Sequence, residues 1–278
     1  MNISLSSVLL SAALLCQPVV ASAASTISTS AYGITSDVKV VGTVGVTVTP
    51  KAAVSATGTP AMNVNGGLVS LKTSVDLGDL LSLRLGTGII TTGAKADNAS
   101  LGVDTLNMGS STVNDLGINL GTVLPLIGLN ATTVTSVTSI KLINNIATLT
   151  GKSVLSNLAL SLLGPVPIFT LGANAEVAPN FVAYDFLGVK LILNEQIATR
   201  SGNTLGLTTN ALRLQLSNYA VGAKLLTGSV TVGQSHAEVF IDTLGPIPEP
   251  AVWLQMIAGF GLTGLVVRRR RTTMLLAA

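Results

Sequence analysis

The side chains able to do nucleophilic or acid–base chemistry are few in this sequence. It contains one histidine, His236, which directly follows Ser235. A serine nucleophile needs its histidine base within hydrogen-bond reach. Ala237, Val239 and Ile241 alternate with Glu238, Phe240 and Asp242, which predicts a strand whose successive side chains point to opposite faces. We therefore expect His236 to share a face with Glu238 and Phe240, away from Ser235, and assign no catalytic residue to this pair.

Paired carboxylates are the other candidate chemistry, because glycosidases use two acids across the scissile bond. The candidate acids in the second half of the chain are Asp185, Glu195, Glu238 and Asp242. Nothing in their spacing selects two of them. Asp76-Leu77-Gly78-Asp79 lacks the alternating oxygen ligands of a calcium loop, so we interpret it as a turn or a helix start. The sequence predicts no catalytic, cofactor-binding or metal site, and no cofactor.

Composition indicates the kind of domain that holds these residues. The chain has 278 residues, 48% hydrophobic, 10% charged and 3% aromatic. The remainder is dominated by Gly, Ser, Thr and Asn, which favours strands and turns over helices. Four of its fifteen Lys and Arg residues form one run, Arg268, Arg269, Arg270 and Arg271. The rest of the chain is close to neutral with scattered charges, so no nucleic-acid partner is expected.

Period-two alternation predicts strands through the body of the chain. Examples are Val44 to Val48, Leu212 to Leu216 and Ala237 to Ile241. Turn signals include Asn65-Gly66-Gly67 and Ser201-Gly202-Asn203. Residues 154–163 remain ambiguous and fit either strands or a short helix. We predict an all-β fold, a single antiparallel β-sandwich-like exported domain over residues 24–244.

The N-terminus has the features of a secretory signal peptide over residues 1–23. An apolar stretch from Ile3 to Leu15 precedes Ala21-Ser22-Ala23, which places the small residues Ala21 and Ala23 where signal peptidase requires them. Cys16 raises the alternative of a lipoprotein, although Leu15 stands where a lipobox needs a small residue. Cleavage after Ala23 would leave the mature protein without cysteine, and so without disulfides or thiolate metal sites.

The C-terminal segment, residues 245–278, has the features of a membrane anchor. Residues 251–267 form an apolar run just long enough to cross a hydrocarbon core as one helix. Trp253 suits the outer interface, and the run Arg268 to Arg271 predicts a cytoplasmic end by the positive-inside rule. Gly259, Gly261 and Gly264 match a dinucleotide motif literally, but inside this span they predict close helix packing instead.

Pro248, Glu249 and Pro250, followed by this apolar run and the arginines, resemble the PEP-CTERM sorting signal of exopolysaccharide-producing Gram-negative bacteria. The resemblance implies recognition by exosortase, an integral membrane transpeptidase thought to cleave at the Pro-Glu-Pro motif. It also implies an inner-membrane single-pass precursor that later reaches the cell surface or extracellular matrix. The two prolines hold Glu249 in an extended conformation that such an enzyme can recognise.

The body is similar to the choice-of-anchor P group of exported bacterial proteins, for which we know of no assigned activity. The segments that carry this resemblance are Ser30–Ile34, Asn194-Glu195-Gln196, Thr209-Asn210-Ala211-Leu212 and Ser235-His236-Ala237.

Two function classes follow from these observations. The first is a non-enzymatic surface or matrix protein, sorted by exosortase and associated with exopolysaccharide. The alternative is a secreted carbohydrate-active enzyme or glycan-binding module that uses the same sorting route. Few charged residues, few aromatic residues and a single histidine favour the first class.

Overall fold

The structure is a computed structural model that describes residues 25–41, 45–58, 60–76, 82–98, 107–121, 125–143, 146–221 and 224–241. Ser25–Ile241 forms one compact unit. The predicted signal peptide, sorting motif and membrane span lie outside the described residues. Within the described ranges, no helix is long and apolar enough to cross a membrane.

Every regular element described is a strand, so the predicted all-β class is confirmed. The strands are β1 Thr26–Val40, β2 Gly45–Lys51, β3 Val54–Thr57, β4 Met62–Leu68, β5 Leu71–Asp76, β6 Ser82–Thr87, β7 Ile90–Ala96, β8 Met108–Gly121, β9 Pro125–Ile143, β10 Ile146–Ser156, β11 Ala159–Leu162, β12 Pro167–Thr170, β13 Ala175–Glu176, β14 Phe181–Phe186, β15 Val189–Ser201, β16 Thr204–Val221 and β17 Lys224–Phe240.

Two sequence predictions are resolved here. The ambiguous stretch 154–163 forms the end of β10 and then β11, with Asn157 between them at a positive φ of 52°. The predicted turn at Asn65-Gly66-Gly67 is wrong, because these residues lie inside β4. Gly66 serves packing instead, since an added Cβ would lie 2.6 Å from Val54 Cγ1.

The strands form two antiparallel sheets packed face to face, a β-sandwich-like arrangement. Sheet A has seven strands in the order β14-β15-β16-β17-β1-β2, with β3 also paired to β1. Sheet B has ten strands, in which β8 and β9 are central. Strands β7 and β6 pair with successive parts of β8. In the same way, β10 and β11 pair with successive parts of β9. Pairs such as β6 and β7 are therefore two halves of one interrupted strand.

The two ends of the described domain are adjacent. In sheet A the first strand, β1, pairs with the last strand, β17, and this register places Thr26 opposite Phe240. Ile241 continues beyond the pair and donates its backbone N–H to the carbonyl of Asn203. The first and last described strands therefore have these ends side by side at one end of the sandwich, which we call the terminal end.

In each of four strands of sheet A, one residue interrupts the alternation of inward and outward side chains. These four residues form a row across the sheet, which we call the irregular line. Gly33 in β1, Gly233 in β17, Ala211 in β16 and Asn194 in β15 occupy successive positions across the sheet. Gly233 and Asn194 have positive φ values of 64° and 50°. Along β17, Val230 and Val232 are buried before this line, and Ser235 and Ala237 are buried after it. Along β17 the inward residues thus switch from even-numbered to odd-numbered.

The interior divides into two apolar clusters. The larger contains Ile34, Val134 and Leu212, and the smaller, near the terminal end, contains Ile27, Ile140 and Val239. Between them the inward residues are small or polar. An added Cβ on Gly109 of β8 would lie 2.4 Å from the carbonyl oxygen of Ser30, so the two sheets come close together at this level.

Candidate functional site

The four segments that carry the body's resemblance converge on this level of sheet A. They lie in β1, β15, β16 and β17, which are neighbours in the sheet. Tyr32 is opposite Gln234, Gln234 is opposite Asn210, and Asn210 is opposite Glu195. Residues distant in the sequence therefore form one row across four strands.

On the outer face this row forms a hydrogen-bonded group that we call the central polar cluster: Tyr32, Glu195, Asn210, Arg213 and Gln234. Gln234 Nε2 donates to Asn210 Oδ1 at 2.9 Å, and Asn210 Nδ2 donates to Glu195 Oε2 at 2.7 Å. Arg213 Nη1 donates to the other carboxylate oxygen, Glu195 Oε1, at 2.9 Å. Both oxygens of Glu195 are thus engaged by neighbours in sheet A.

The irregular line explains why Arg213 reaches Glu195. Ala211 and Leu212 are both fully buried, so Asn210 and Arg213 are successive outward residues on β16. Each can then donate a hydrogen bond to one oxygen of the Glu195 carboxylate. Glu195 is only 9% exposed, and a charge so buried needs a partner of opposite sign and hydrogen bonds. The arrangement supplies both.

Tyr32 ends the row on β1. Burial raises the pKa of its hydroxyl from 10.0 to about 12. The positive charge of Arg213 and a hydrogen bond with Gln234 lower this pKa in part, and the carboxylate of Glu195 raises it. Tyr32 therefore stays protonated well above neutral pH and contributes a neutral hydroxyl to the cluster.

The inner face of the same segments and the facing residues of sheet B form a second group, the inter-sheet polar layer: Ser111, Ser136, Thr138, Ser153, Asn194, Thr209 and Ser235. Thr138 of β9 lies at its centre. Its Oγ1 is 2.8 Å from both Thr209 Oγ1 and Ser235 Oγ, so one side chain of sheet B contacts two strands of sheet A. All three residues are fully buried.

Asn194 and Gln196 extend this layer at β15. Ser153 Oγ donates to Asn194 Oδ1 at 3.0 Å, and Gln196 Nε2 donates to the carbonyl of Gly151 at 2.7 Å. Asn194 Nδ2 also donates to the carbonyl of Val177 at 2.6 Å. An Asn at this position tolerates the positive φ and bonds both to sheet B and to the segment before β14.

Three buried hydroxyls are without a hydrogen-bond partner in the described part of the chain, and two of them belong to this layer. These are the Oγ atoms of Ser36, Ser111 and Ser136. Ser111 and Ser136 are opposite each other on β8 and β9. Such groups lower stability relative to satisfied ones, since buried polar atoms normally have a partner.

The predicted separation of Ser235 from His236 is confirmed. Ser235 is fully buried against Thr138, and His236 is on the outer face with Nδ1 2.9 Å from Thr208 Oγ1. The Nε2 atom of His236 lies 3.9 Å from Glu238 Oε2. The two side chains therefore point to opposite faces of sheet A and form no nucleophile–base pair.

The candidate carboxylates that the structure describes are not brought together. Glu195 and Glu238 are two strands apart and four residues apart along the sheet, which places their backbones roughly 16 Å from each other. Glycosidase carboxyl groups lie about 5 to 9.5 Å apart. Asp185 forms an ion pair with Lys190 at 3.1 Å. Asp242 lies outside the described residues, as do Leu77, Gly78 and Asp79.

The sorting residues predicted from the sequence also lie outside the described ranges. They are Ala21, Ala23, Pro248, Glu249, Pro250, Trp253, Gly259, Gly261, Gly264, Arg268, Arg269, Arg270 and Arg271. Among the residues that are described, no group of three or more His, Cys, Asp and Glu side chains is placed to hold a metal ion. In comparisons with known proteins, the chain matches no family model and no curated sequence.

Two members of the central polar cluster were not predicted: Arg213 and Gln234. Tyr32, Glu195 and Asn210 stand in segments singled out by the resemblance, whereas Arg213 and Gln234 lie next to such segments. In the sequence, the signal for Arg213 and Gln234 was their position next to these segments. It could not show which residues share a row, because that depends on the pairing of β1 with β17.

Proposed function

We propose that this protein is an exported, non-catalytic surface or matrix protein that exosortase sorts through its C-terminal tail and that associates with exopolysaccharide. The observation that carries the proposal is the tail sequence, Pro248-Glu249-Pro250 before an apolar run and four arginines. In this proposal residues 1–23 are removed as a signal peptide, and residues 251–267 form the single span of an inner-membrane precursor.

The pairing of the first strand with the last supports the proposal. Thr26, the first residue of β1, and Phe240, the last of β17, are opposite each other at the terminal end. That is a suitable geometry for a protein displayed on a surface or released into a matrix.

The central polar cluster supports a structural role for the resembling segments. The carboxylate of Glu195 has a partner on each oxygen, and the hydroxyl of Ser235 is buried between the sheets. These groups join strands β15, β16 and β17 to one another and to sheet B. In this proposal they hold the sandwich together and perform no turnover.

Peptide mass spectrometry of the termini tests the sorting. Membrane, surface and medium fractions of the native host are compared with and without its exosortase. We expect surface material to end near Pro248 only when the enzyme is present. Replacing Pro248 and Pro250 by alanine should block this processing, and Pro246→Ala, just upstream, is the matched control. Surface peptides that span Glu249 and Trp253 regardless of exosortase would contradict the proposal.

A polysaccharide-hydrolase screen tests the absence of catalysis. The wild type is compared with Glu195→Gln, which keeps the size of the side chain, and with Glu238→Ala. We expect no turnover in any of the three. Measurable turnover that either replacement removes would favour the alternative, a secreted carbohydrate-active enzyme.

A further inference from the structure

An open groove lies on the outer face of sheet B, distant in the fold from the central polar cluster. It has a volume of about 690 Å³ and is formed by β5, β6 and β8. Lys72, Arg84, Asp115 and Asn119 contribute its long polar side chains, and Gly86 and Gly117 lie between them. Small-molecule sites typically measure about 300 to 1,000 Å³, so the groove is large enough for a short segment of a polymer.

Gly86 and Gly117 are opposite each other on β6 and β8 and form the floor of the groove. Neither has a positive φ. Of the described residues, an added Cβ on Gly86 would meet only the carbonyl oxygen of Gly117 at 3.9 Å, and one on Gly117 only Asn130 Oδ1 at 3.6 Å. These are ordinary contacts, so the fold itself does not require glycine at either position.

This contrasts with Gly109, in the same strand β8, where an added Cβ would lie within 3 Å of backbone atoms. Glycine inside a strand weakens it and often marks a place where a ligand comes close to the backbone. At positions 86 and 117 packing gives no other reason for glycine. A flat, open floor of this kind allows a sugar ring to lie against the sheet.

The charges beside the floor favour an anion. Lys72 is opposite Gly86, and Arg84 is opposite Asn119. Within the described residues neither Lys72 nor Arg84 forms an ion pair. Among its described residues the groove lining thus has two cations and one carboxylate, Asp115. An arginine fork matches a carboxylate in geometry, and lysine adds a point charge.

We propose that this groove binds a segment of a polysaccharide that carries carboxylate groups. A sugar ring lies over Gly86 and Gly117, its carboxylate pairs with Arg84 and Lys72, and its hydroxyls bond to Asn119 and Asp115. The inference rests on the proposed function for the source of the polymer, an exopolysaccharide, although the binding itself does not depend on sorting.

Isothermal titration calorimetry tests the site. The full-length protein in neutral detergent is titrated with polygalacturonate, which has carboxylates, and with dextran, which is neutral. We expect binding to polygalacturonate alone. Replacing Lys72 and Arg84 together by glutamine should weaken it about tenfold or more, because charge-assisted hydrogen bonds are lost. The control is Arg200→Gln, which removes one exposed positive charge from sheet A, as each of the two replacements does at the groove. It should leave binding unchanged.

Filling the floor gives a second, independent test. Gly86→Thr combined with Gly117→Thr should abolish binding while the melting temperature stays equal or rises, since threonine favours strands. A loss of binding in a protein that is at least as stable cannot be ascribed to unfolding. Equal binding of dextran, unchanged binding by the Lys72 and Arg84 double variant, or no wild-type binding would each overturn the inference. None of these outcomes alters exosortase-dependent processing of the tail, so the two proposals fail separately.

Discussion

The hydroxyl oxygen of Thr138 in sheet B lies 2.8 Å from the hydroxyl oxygen of Thr209 in sheet A. Both side chains are fully buried, and together with Ser235 they bridge the sheets between the two apolar clusters. The middle of the sandwich is thus joined by hydroxyl contacts between closely spaced backbones, whereas the regions on either side are joined by apolar packing.

Replacement of Thr138 by valine keeps the shape of the side chain and removes its hydroxyl. Thr209 and Ser235 then lose a buried partner, which should lower the free energy of unfolding by about 1–3 kcal/mol. Urea denaturation measures the change. The control is Thr112→Val, whose hydroxyl lies 3.2 Å from that of Thr135 in a less buried pair. Equal stability of the two variants would contradict the role given to Thr138.

Two glycines of β8 should differ sharply in their tolerance of alanine. The added methyl of Gly109→Ala would lie 2.4 Å from the carbonyl oxygen of Ser30 and 2.8 Å from that of His236. Both are backbone atoms, so the sheets must separate, at a cost of about 1–3 kcal/mol or more. Gly117→Ala meets only ordinary contact and should be neutral or stabilising. Thermal melts of both variants make the comparison, and similar melting temperatures would refute the close approach.

Stability should fall at alkaline pH because of Tyr32. Its pKa is 10.0 in the unfolded chain and about 12 in the folded protein. Between these values the unfolded chain has released a proton that the folded protein retains, so the free energy of unfolding decreases as pH rises. Below pH 10 this contribution is constant.

Tyr32→Phe should therefore flatten the decline in stability between pH 10 and 12, as followed by denaturant unfolding at several pH values. An ultraviolet titration of phenolate should lose its step near pH 12 in the same variant. The same titration in denaturant is the control, where every tyrosine should ionise near its ordinary pKa. A wild type whose tyrosines all titrate at that ordinary value would show that Tyr32 is not buried as described.

Cysteines placed at Thr26 and Phe240 should form a disulfide. The two residues are opposite each other on antiparallel strands, and such pairs have Cα separations of about 4.5 to 5.5 Å, within the range of a disulfide. Non-reducing gels after proteolysis detect the link, because the fragments stay together. A Thr26→Cys and Leu225→Cys pair is the control, since Leu225 lies at the other end of β17. Absence of the first link would disprove the pairing of β1 with β17.

The sequence predicted much of the local structure and little of its assembly. Alternation correctly placed Ala237 and Val239 inward and His236 outward, because each strand keeps a period of two on either side of the irregular line. The line itself could not be predicted, since Gly33 and Ala211 look like ordinary strand residues. Which residues meet across it depends on strand pairing over long sequence distances.

The groove on sheet B could not be predicted from the sequence either, for the same reason. Lys72 and Arg84 are isolated cations in the sequence and come together only through the pairing of β5 with β6. Glu195 and Asn210 were singled out by resemblance, but their contact with each other required the register of β15 against β16. The predicted sorting residues needed no such pairing, because a tail motif is contiguous in the chain.

The pairing of β1 with β17 also sets the order in which the domain can be completed. β1 is the first described strand and β17 is the last, so sheet A lacks its central junction until nearly the whole domain has been synthesised. Contacts between such distant segments form slowly, because a long loop must close first. If the chain crosses the membrane from its N-terminus, β17 emerges just ahead of the predicted anchor. The pairing at the centre of sheet A would then form only after almost all of the domain has crossed the membrane.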